Sequence, residues 1–273
     1  YDQHLGPQHD RTVVTRSLYA RSLAEVGQYA LALKEQRANL ANVQARSQVE
    51  PEAVELARVQ LVRLLTQAGQ HDEAVVAARQ TVAFFDQRYP QPTRYREAAR
   101  WFLADALLAQ GQRDEGVRLL QASLANAEQM GAKNNPLERA NKQVALALAQ
   151  RQAAPAEALA LAAAACPVLG KALGPTNPRT TKCLAVQAWV QAVAASPGDR
   201  AAALASFVAA RDRALDGLPP SHLLAAELLA AEAELRATDP AQGDQARALK
   251  ARADGLYAQA LARPAPQPLL SLH

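Results

Sequence analysis

Few residues in this 273-residue chain have the types and spacing for chemistry. Its two cysteines, Cys166 and Cys183, can form a disulfide or sit as two small buried hydrophobes. Of the five histidines, His4, His9, His71, His222 and His273, two share a loop at positions 4 and 9. No thiol or carboxylate pattern beside them completes a metal-ligand set, so the expectation is no metal. Asp72-Glu73 and Asp114-Glu115 look like paired catalytic carboxylates, but each pair opens a helix, where negative charge favours the N-terminus. No phosphate loop, Cys-x-x-Cys pair or nucleophile elbow occurs. These features point away from an enzyme and call for no cofactor.

The elements that position these residues follow from a period. Gly27, Gly69 and Gly111 stand 42 residues apart, each between an apolar helix end and a short polar turn into a new helix. Leu5-Gly6-Pro7 recurs as Leu173-Gly174-Pro175, 168 residues later, which is four such periods. The pattern predicts six helical hairpins: 11–26 with 28–46, 51–68 with 71–88, 93–110 with 113–130, 136–152 with 155–172, 177–195 with 198–216, and 219–237 with 240–262. Prolines 51, 136, 155, 219 and 240 fall at the expected helix starts, where a missing N–H costs little. Glycines 27, 69 and 111 fall at helix ends, where a left-handed residue closes the last turn. In the antiparallel layout Cys166 and Cys183 lie about two turns from the bend between the fourth and fifth hairpins, where their side chains can meet.

Composition agrees with an all-α chain. Hydrophobic residues make up 49% and aromatics 4%, so Ala, Leu and Val must build the core by close helix contact. The net charge of +4 is spread evenly over both halves, which argues against a nucleic-acid-binding face. The Ala-rich run 153–165 is short and interrupted by Glu157, so no membrane span is expected. The first residues read as the inside of a repeat linker, and we expect a piece of a longer protein. Arginine outnumbers lysine 24 to 6, a bias that suggests a GC-rich bacterial genome.

Around the glycines the sequence resembles the tetratricopeptide repeat (TPR), in its 42-residue kinesin-light-chain variety. Seven residues before each glycine stand Ala20, Val62 and Ala104, and four before stand Leu23, Leu65 and Leu107. Five after stand Ala32, Ala74 and Gly116, and the linkers LGPQHDRT and LGPTNPRT match the variety's inter-repeat loop. The resemblance fades where Ala153 and Ala237 replace the glycine. It implies a right-handed α-solenoid of about twelve helices over residues 1–263, with a Pro-rich tail at 264–273. In the family's frame the first helix of each hairpin lines a concave face. Ser17, Arg21, Gln60, Arg63, Trp101, Phe102, Asp105 and Trp189 then face a protein or peptide ligand, one with acidic groups. A basic ladder one face over, Arg16, Arg58, Arg100 and Lys142, reads either as a stripe for an acidic partner or, preferably, as packed stems paired to carboxylates.

Arrays of this kind are attached to bacterial Ser/Thr kinases and transcriptional regulators. The expected function is therefore a non-catalytic sensor or interaction module of a larger signalling protein. With a disulfide the compartment is the periplasm; with reduced thiols it is the cytoplasm. The competing expectation is an oligomerisation scaffold whose groove is filled by another copy or by its own tail through Leu269-Leu270.

Overall fold

A computed structural model describes residues 6–48, 50–130, 135–219 and 222–262. Twelve α-helices and one 3-10 turn make up its regular structure among these residues. They are α1 (Asp10–Glu25), α2 (Tyr29–Gln44), α3 (Pro51–Gln67), α4 (His71–Arg88), α5 (Arg94–Gln110), α6 (Arg113–Gln129), α7 (Pro136–Gln150) and α8 (Pro155–Leu173). Then come α9 (Pro178–Ala194), α10 (Arg200–Leu215), α11 (Leu223–Arg236) and α12 (Gly243–Ala262), the 3-10 turn Pro240–Gln242 leading into the last. Residue 49, the linker 131–134, residues 220–221 and the tail with Leu269-Leu270 lie outside the described residues, as does His4.

The period has a concrete backbone form. Gly27, Gly69 and Gly111 have φ of 78°, 78° and 91°. After each, the N–H of Gln28, Gln70 or Gln112 donates to the carbonyl of Leu23, Leu65 or Leu107 at 2.8, 2.9 and 2.8 Å. At Gly69 and Gly111 a Cβ would meet nothing within 4 Å, so the positive φ, not crowding, calls for glycine. The recurring linker also repeats its shape. Gly6 and Gly174 have φ of 81° and 93°, and His9 and Asn177 each cap the next helix by accepting an N–H two residues on.

Successive helices pack as antiparallel pairs, giving six hairpins. The first helices of the hairpins (α1, α3, α5, α7, α9, α11) also approach one another in turn, whereas the second helices spread apart. That difference in spacing puts the first helices on the concave side. Small residues permit the close approach within hairpins: Ala20, Val62 and Ala104 are fully enclosed. At Gly116 a Cβ would fall 2.7 Å from Leu108 Cγ and 3.1 Å from the Ala104 carbonyl oxygen. Gly116→Ala is therefore expected to lower stability by about 1 kcal/mol in urea unfolding, the overpacking outweighing the gain in helix propensity. A stabilised variant would show that α5 and α6 are not in tight contact there.

The structure departs from the sequence reading in three places. The sixth hairpin starts at Leu223, capped by the His222 ring nitrogen, so Pro219 stands before the helix and not at its start. Pro178 takes that helix-start role in the fifth hairpin. Third, α8 is long and apolar enough to cross a membrane by length and composition, with a mean hydropathy of 1.5. The run 153–165 misses this because the helix continues through Leu173. In the fold α8 packs between α7 and α9, burying Ala158, Ala162, Ala165, Cys166 and Leu169.

The chain also closes on itself. Leu223, Ala226, Leu229 and Ala253 of the last hairpin share one apolar cluster with the first three hairpins. Tyr257 and Ala258 line a shallow cleft with Ala68, Gly69 and His71, at the turn of the second hairpin. The last hairpin thus lies along the turn edge of the first two, and brings its own charges to the mouth of the concave face.

Candidate functional site

The inner helices repeat one register: Arg21, Arg63 and Asp105 occupy equivalent positions in the first three hairpins. Arg21 is exposed, while Arg63 and Asp105 are half-buried. Gln60 is half-buried in the same row as Leu18 and Phe102. Trp101 and Phe102 are also half-buried and stack on each other, ring centroids 5.0 Å apart at 17°. Arg21, Gln60, Arg63, Trp101, Phe102 and Asp105 form one ladder of charge and aromatic surface. Two further expectations are corrected here.

Ser17 is committed to the interior of the first hairpin. Its hydroxyl donates to Gln36 Oε1 at 3.1 Å and accepts from Asn39 Nδ2 at 2.9 Å. Gln36 and Asn39 are fully buried, so the serine completes a polar core and offers little to a ligand. Trp189 is 6% exposed. Phe207 packs beside it and the Arg151 guanidinium lies 4.3 Å from its ring centroid. Arg151 is held there by Glu234 of α11 at 2.7 Å. The 42-residue frame puts Trp189 in the Arg21 register, but the fifth hairpin is covered by the sixth, so the indole is core.

Closure supplies charges that the sequence does not place. Lys182 of α9 pairs with Glu227 of α11 at 2.8 Å, and both act on Asp105. Burial pushes the Asp105 carboxyl up to about 7; Lys182 and the facing Trp101 indole pull it down, and Glu227 adds to the rise. The Trp101 N–H faces that carboxylate without closing a well-formed hydrogen bond. Burial works against the Lys182 charge but is outweighed by Glu227 and Asp105, so the ammonium sits above its ordinary range. Arg63 is pushed down, first by burial and then by Arg21 and Arg179, with Glu25 opposing.

The raised Asp105 has a stability consequence. Its folded pKa lies above the unfolded value, so the cost of its charge is felt above pH 7 and relieved as pH falls towards 4. Asp105→Asn is expected to stabilise by about 1–2 kcal/mol at pH 8, and by less at pH 5, in thermal unfolding. Equal effects at both pH values would contradict the enclosed carboxylate.

The basic ladder packs as structure. Arg58 meets Glu55 at 2.7 Å, Arg100 meets Asp86 at 2.9 Å, and Arg16 lies 3.5 Å from Glu35. Lys142 is 3% exposed and donates to Ser123 at 2.8 Å. The periodic carboxylates are likewise paired. Arg37 of α2 reaches Glu73 of α4 at 2.7 Å, and one period on Arg79 of α4 grips Glu115 of α6 with two bonds. Each pair ties one hairpin to the next. Among the described residues no group of three His, Cys, Asp or Glu is placed to hold a metal. Cys166 and Cys183 are bonded, with an S–S distance of 2.06 Å, joining α8 to α9.

Helical hairpins stacked at a fixed period with an inner layer of first helices define a TPR-like repeat array. Solved structures share that architecture. Over 74% of this chain and 94% of its own, a kinesin light chain of nearly identical TPR-like repeats from Podosopora anserina matches with a TM-score of 0.54 and 23% identity. A Rap protein complexed with competence and sporulation factor matches over 91% of this chain and 75% of its own, with a TM-score of 0.69 and 11% identity. No family model and no curated protein sequence matches the chain. The likeness is one of fold: a TPR-like array of helical hairpins.

Proposed function

We propose that this chain is a non-catalytic module that holds a peptide or protein segment along its concave face, as the sensing or interaction part of a larger bacterial signalling protein such as a Ser/Thr kinase. The observation that carries the reading is the inner ladder of Arg21, Arg63, Asp105, Trp101 and Phe102. These side chains leave charge and aromatic surface on the concave side after the core is built. Trp and Arg are the side chains that most often dominate interface energy. The Rap protein, solved with its factor bound, supports the same use of the fold. A non-catalytic role fits the paired carboxylates, whose repeated partners are arginines of the preceding hairpin. The Cys166–Cys183 bond favours an oxidising compartment, which for a bacterial chain is the periplasm.

A crosslinking pull-down run with wild type, Trp101→Ala and Val76→Ala tests this. Val76 is exposed on α4, away from the inner ladder. Capture of the same partner by wild type and Val76→Ala, with a loss of about 30-fold for Trp101→Ala, is expected for a central aromatic anchor. Equal capture by all three would overturn the inner face as the binding surface.

A further inference from the structure

The first helix of the array leaves open a stripe that its counterparts bury. Thr15, Tyr19, Ser22 and Val26 follow one another at helical spacing along one side of α1 and its C-terminal cap. All four are exposed, Tyr19 at 50% and Val26 at 48%, and the exposed Val14 and Leu18 lie beside them. One period on, the same register holds Ala57, Leu61, Leu64 and Ala68, all enclosed. Two periods on it holds Ala99, Leu103 and Ala106, enclosed as well. Four periods on it holds Cys183 and Val190, enclosed again.

What encloses that register is the hairpin before. The second helix of one hairpin packs on the first helix of the next: α2 on α3, α4 on α5, and α8 on α9. Contacts at the head of the register show it directly. The Ala57 carbonyl accepts from the Gln36 amide of α2 at 2.9 Å, and Cys183 is bonded to Cys166 of α8. Thr15 holds the same place on α1, and among the described residues nothing is laid over it.

The approach to α1 also has the form of a joint between hairpins. The His9 N–H donates to the Gly6 carbonyl at 3.4 Å, as the Asn177 N–H does to the Gly174 carbonyl at 3.4 Å. Both glycines have positive φ, both caps accept an N–H two residues on, and Thr12 and Thr180 are buried one turn into each helix. At Gly174 this turn takes the chain from α8, which ends at Leu173, into α9 with the two helices packed together. The same turn at Gly6 therefore directs a preceding helix across the open stripe. A second copy stacked head to tail fits less well, because α12 exposes Arg247, Lys250 and Asp254, and an uncharged stripe offers these no partner.

We propose that the Thr15, Tyr19, Ser22 and Val26 stripe is a stacking face for a further helical hairpin of the same repeat, joined through the Gly6-Pro7 linker. The proposal extends the array beyond the six hairpins seen, and it stands whether or not the concave face binds a peptide.

The test compares the chain with two lengthened forms. One carries a second copy of residues 136–173 directly ahead of Gly6, with Cys166→Ala in the copy; the other carries a second copy of residues 6–50 directly ahead of His9. Amide hydrogen exchange reads α1, and circular dichroism reads the helix added. Exchange in α1 is expected to slow by about tenfold in at least one lengthened form, and Tyr19→Asp in that form should return it to within about twofold of the original chain. Val76→Asp, on the outer helix α4, should leave the protection in place. Unchanged α1 exchange in both lengthened forms, whether or not the added residues become helical, would overturn the proposal. So would protection that survives Tyr19→Asp, since the stripe would then not be the contact. Light scattering of the original chain covers the other occupant: a dimer that Tyr19→Asp converts to monomer would assign the stripe to a second copy and overturn the hairpin.

Discussion

Glu232→Ala is expected to cost about 3–5 kcal/mol of unfolding free energy, the largest effect of any single substitution considered. Glu232 lies on α11 and is 3% exposed. Arg236, one turn on, donates to it at 2.7 Å, and Arg211 of α10 makes a close ion pair with its other oxygen. Both arginines are themselves mostly covered, at 15% and 16% side-chain exposure. Removing the carboxylate leaves the enclosed Arg236 with the neutral Gln242 amide and Arg211 with the exposed Asp212 at 2.7 Å, and an enclosed charge that has lost its buried partner is what makes such deletions expensive. Glu232→Gln keeps an acceptor of the same shape and should recover part of the loss. A double-mutant cycle with Arg211→Met measures the coupling between hairpins five and six. A loss below about 1 kcal/mol for Glu232→Ala would mean that water reaches the cluster and the sixth hairpin docks more loosely than described.

Reduction of the Cys166–Cys183 bond, or Cys183→Ala, is expected to lower stability by about 3 kcal/mol, the chain-entropy estimate for a loop of this size. The bond closes a loop with a sequence separation of 17 and staples α8 to α9. Urea unfolding with and without reductant reads the effect directly, and the m-value should rise as the reduced chain unfolds to a more open ensemble. The consequence reaches the concave face, because Lys182, paired to Glu227 and acting on Asp105, stands next to Cys183 on the same helix. Identical unfolding midpoints with and without reductant would mean the two thiols are not bonded in solution.

Much of the fold was legible because the repeat buries the same positions each time. Ala20, Val62 and Ala104 pack helix against helix, Leu23, Leu65 and Leu107 supply the carbonyls that close each turn, and the glycine after them takes a positive φ. Local chemistry of that kind leaves a mark in local sequence. The periodic acids were readable as structural for the same reason, although their arginine partners, 36 positions upstream, were not. The concave ladder was readable only in part. Arg21, Arg63 and Asp105 share a register, so a frame finds them. Ser17 shares the frame too, yet two buried amides, Gln36 and Asn39, claim its hydroxyl.

Trp189 shows where the frame fails. A register says which way a side chain points within its hairpin and says nothing of what the next hairpin lays over it. The same limit hides Lys182 and Glu227 from a sequence reading. Their place beside Asp105 follows from the summed curvature of several hairpins and the docking of the last against the first. Small angular steps at each interface add up to that closure, and no short motif records them.

The central claim, that a partner lies along the concave face, is tested most directly by amide hydrogen exchange of the whole chain with and without the captured partner. Added protection in α1, α3, α5 and the first turns of α9, fading in Trp101→Ala, is the expected result. Protection confined to the outer helices α2, α4 and α6, with the inner helices unchanged, would contradict it.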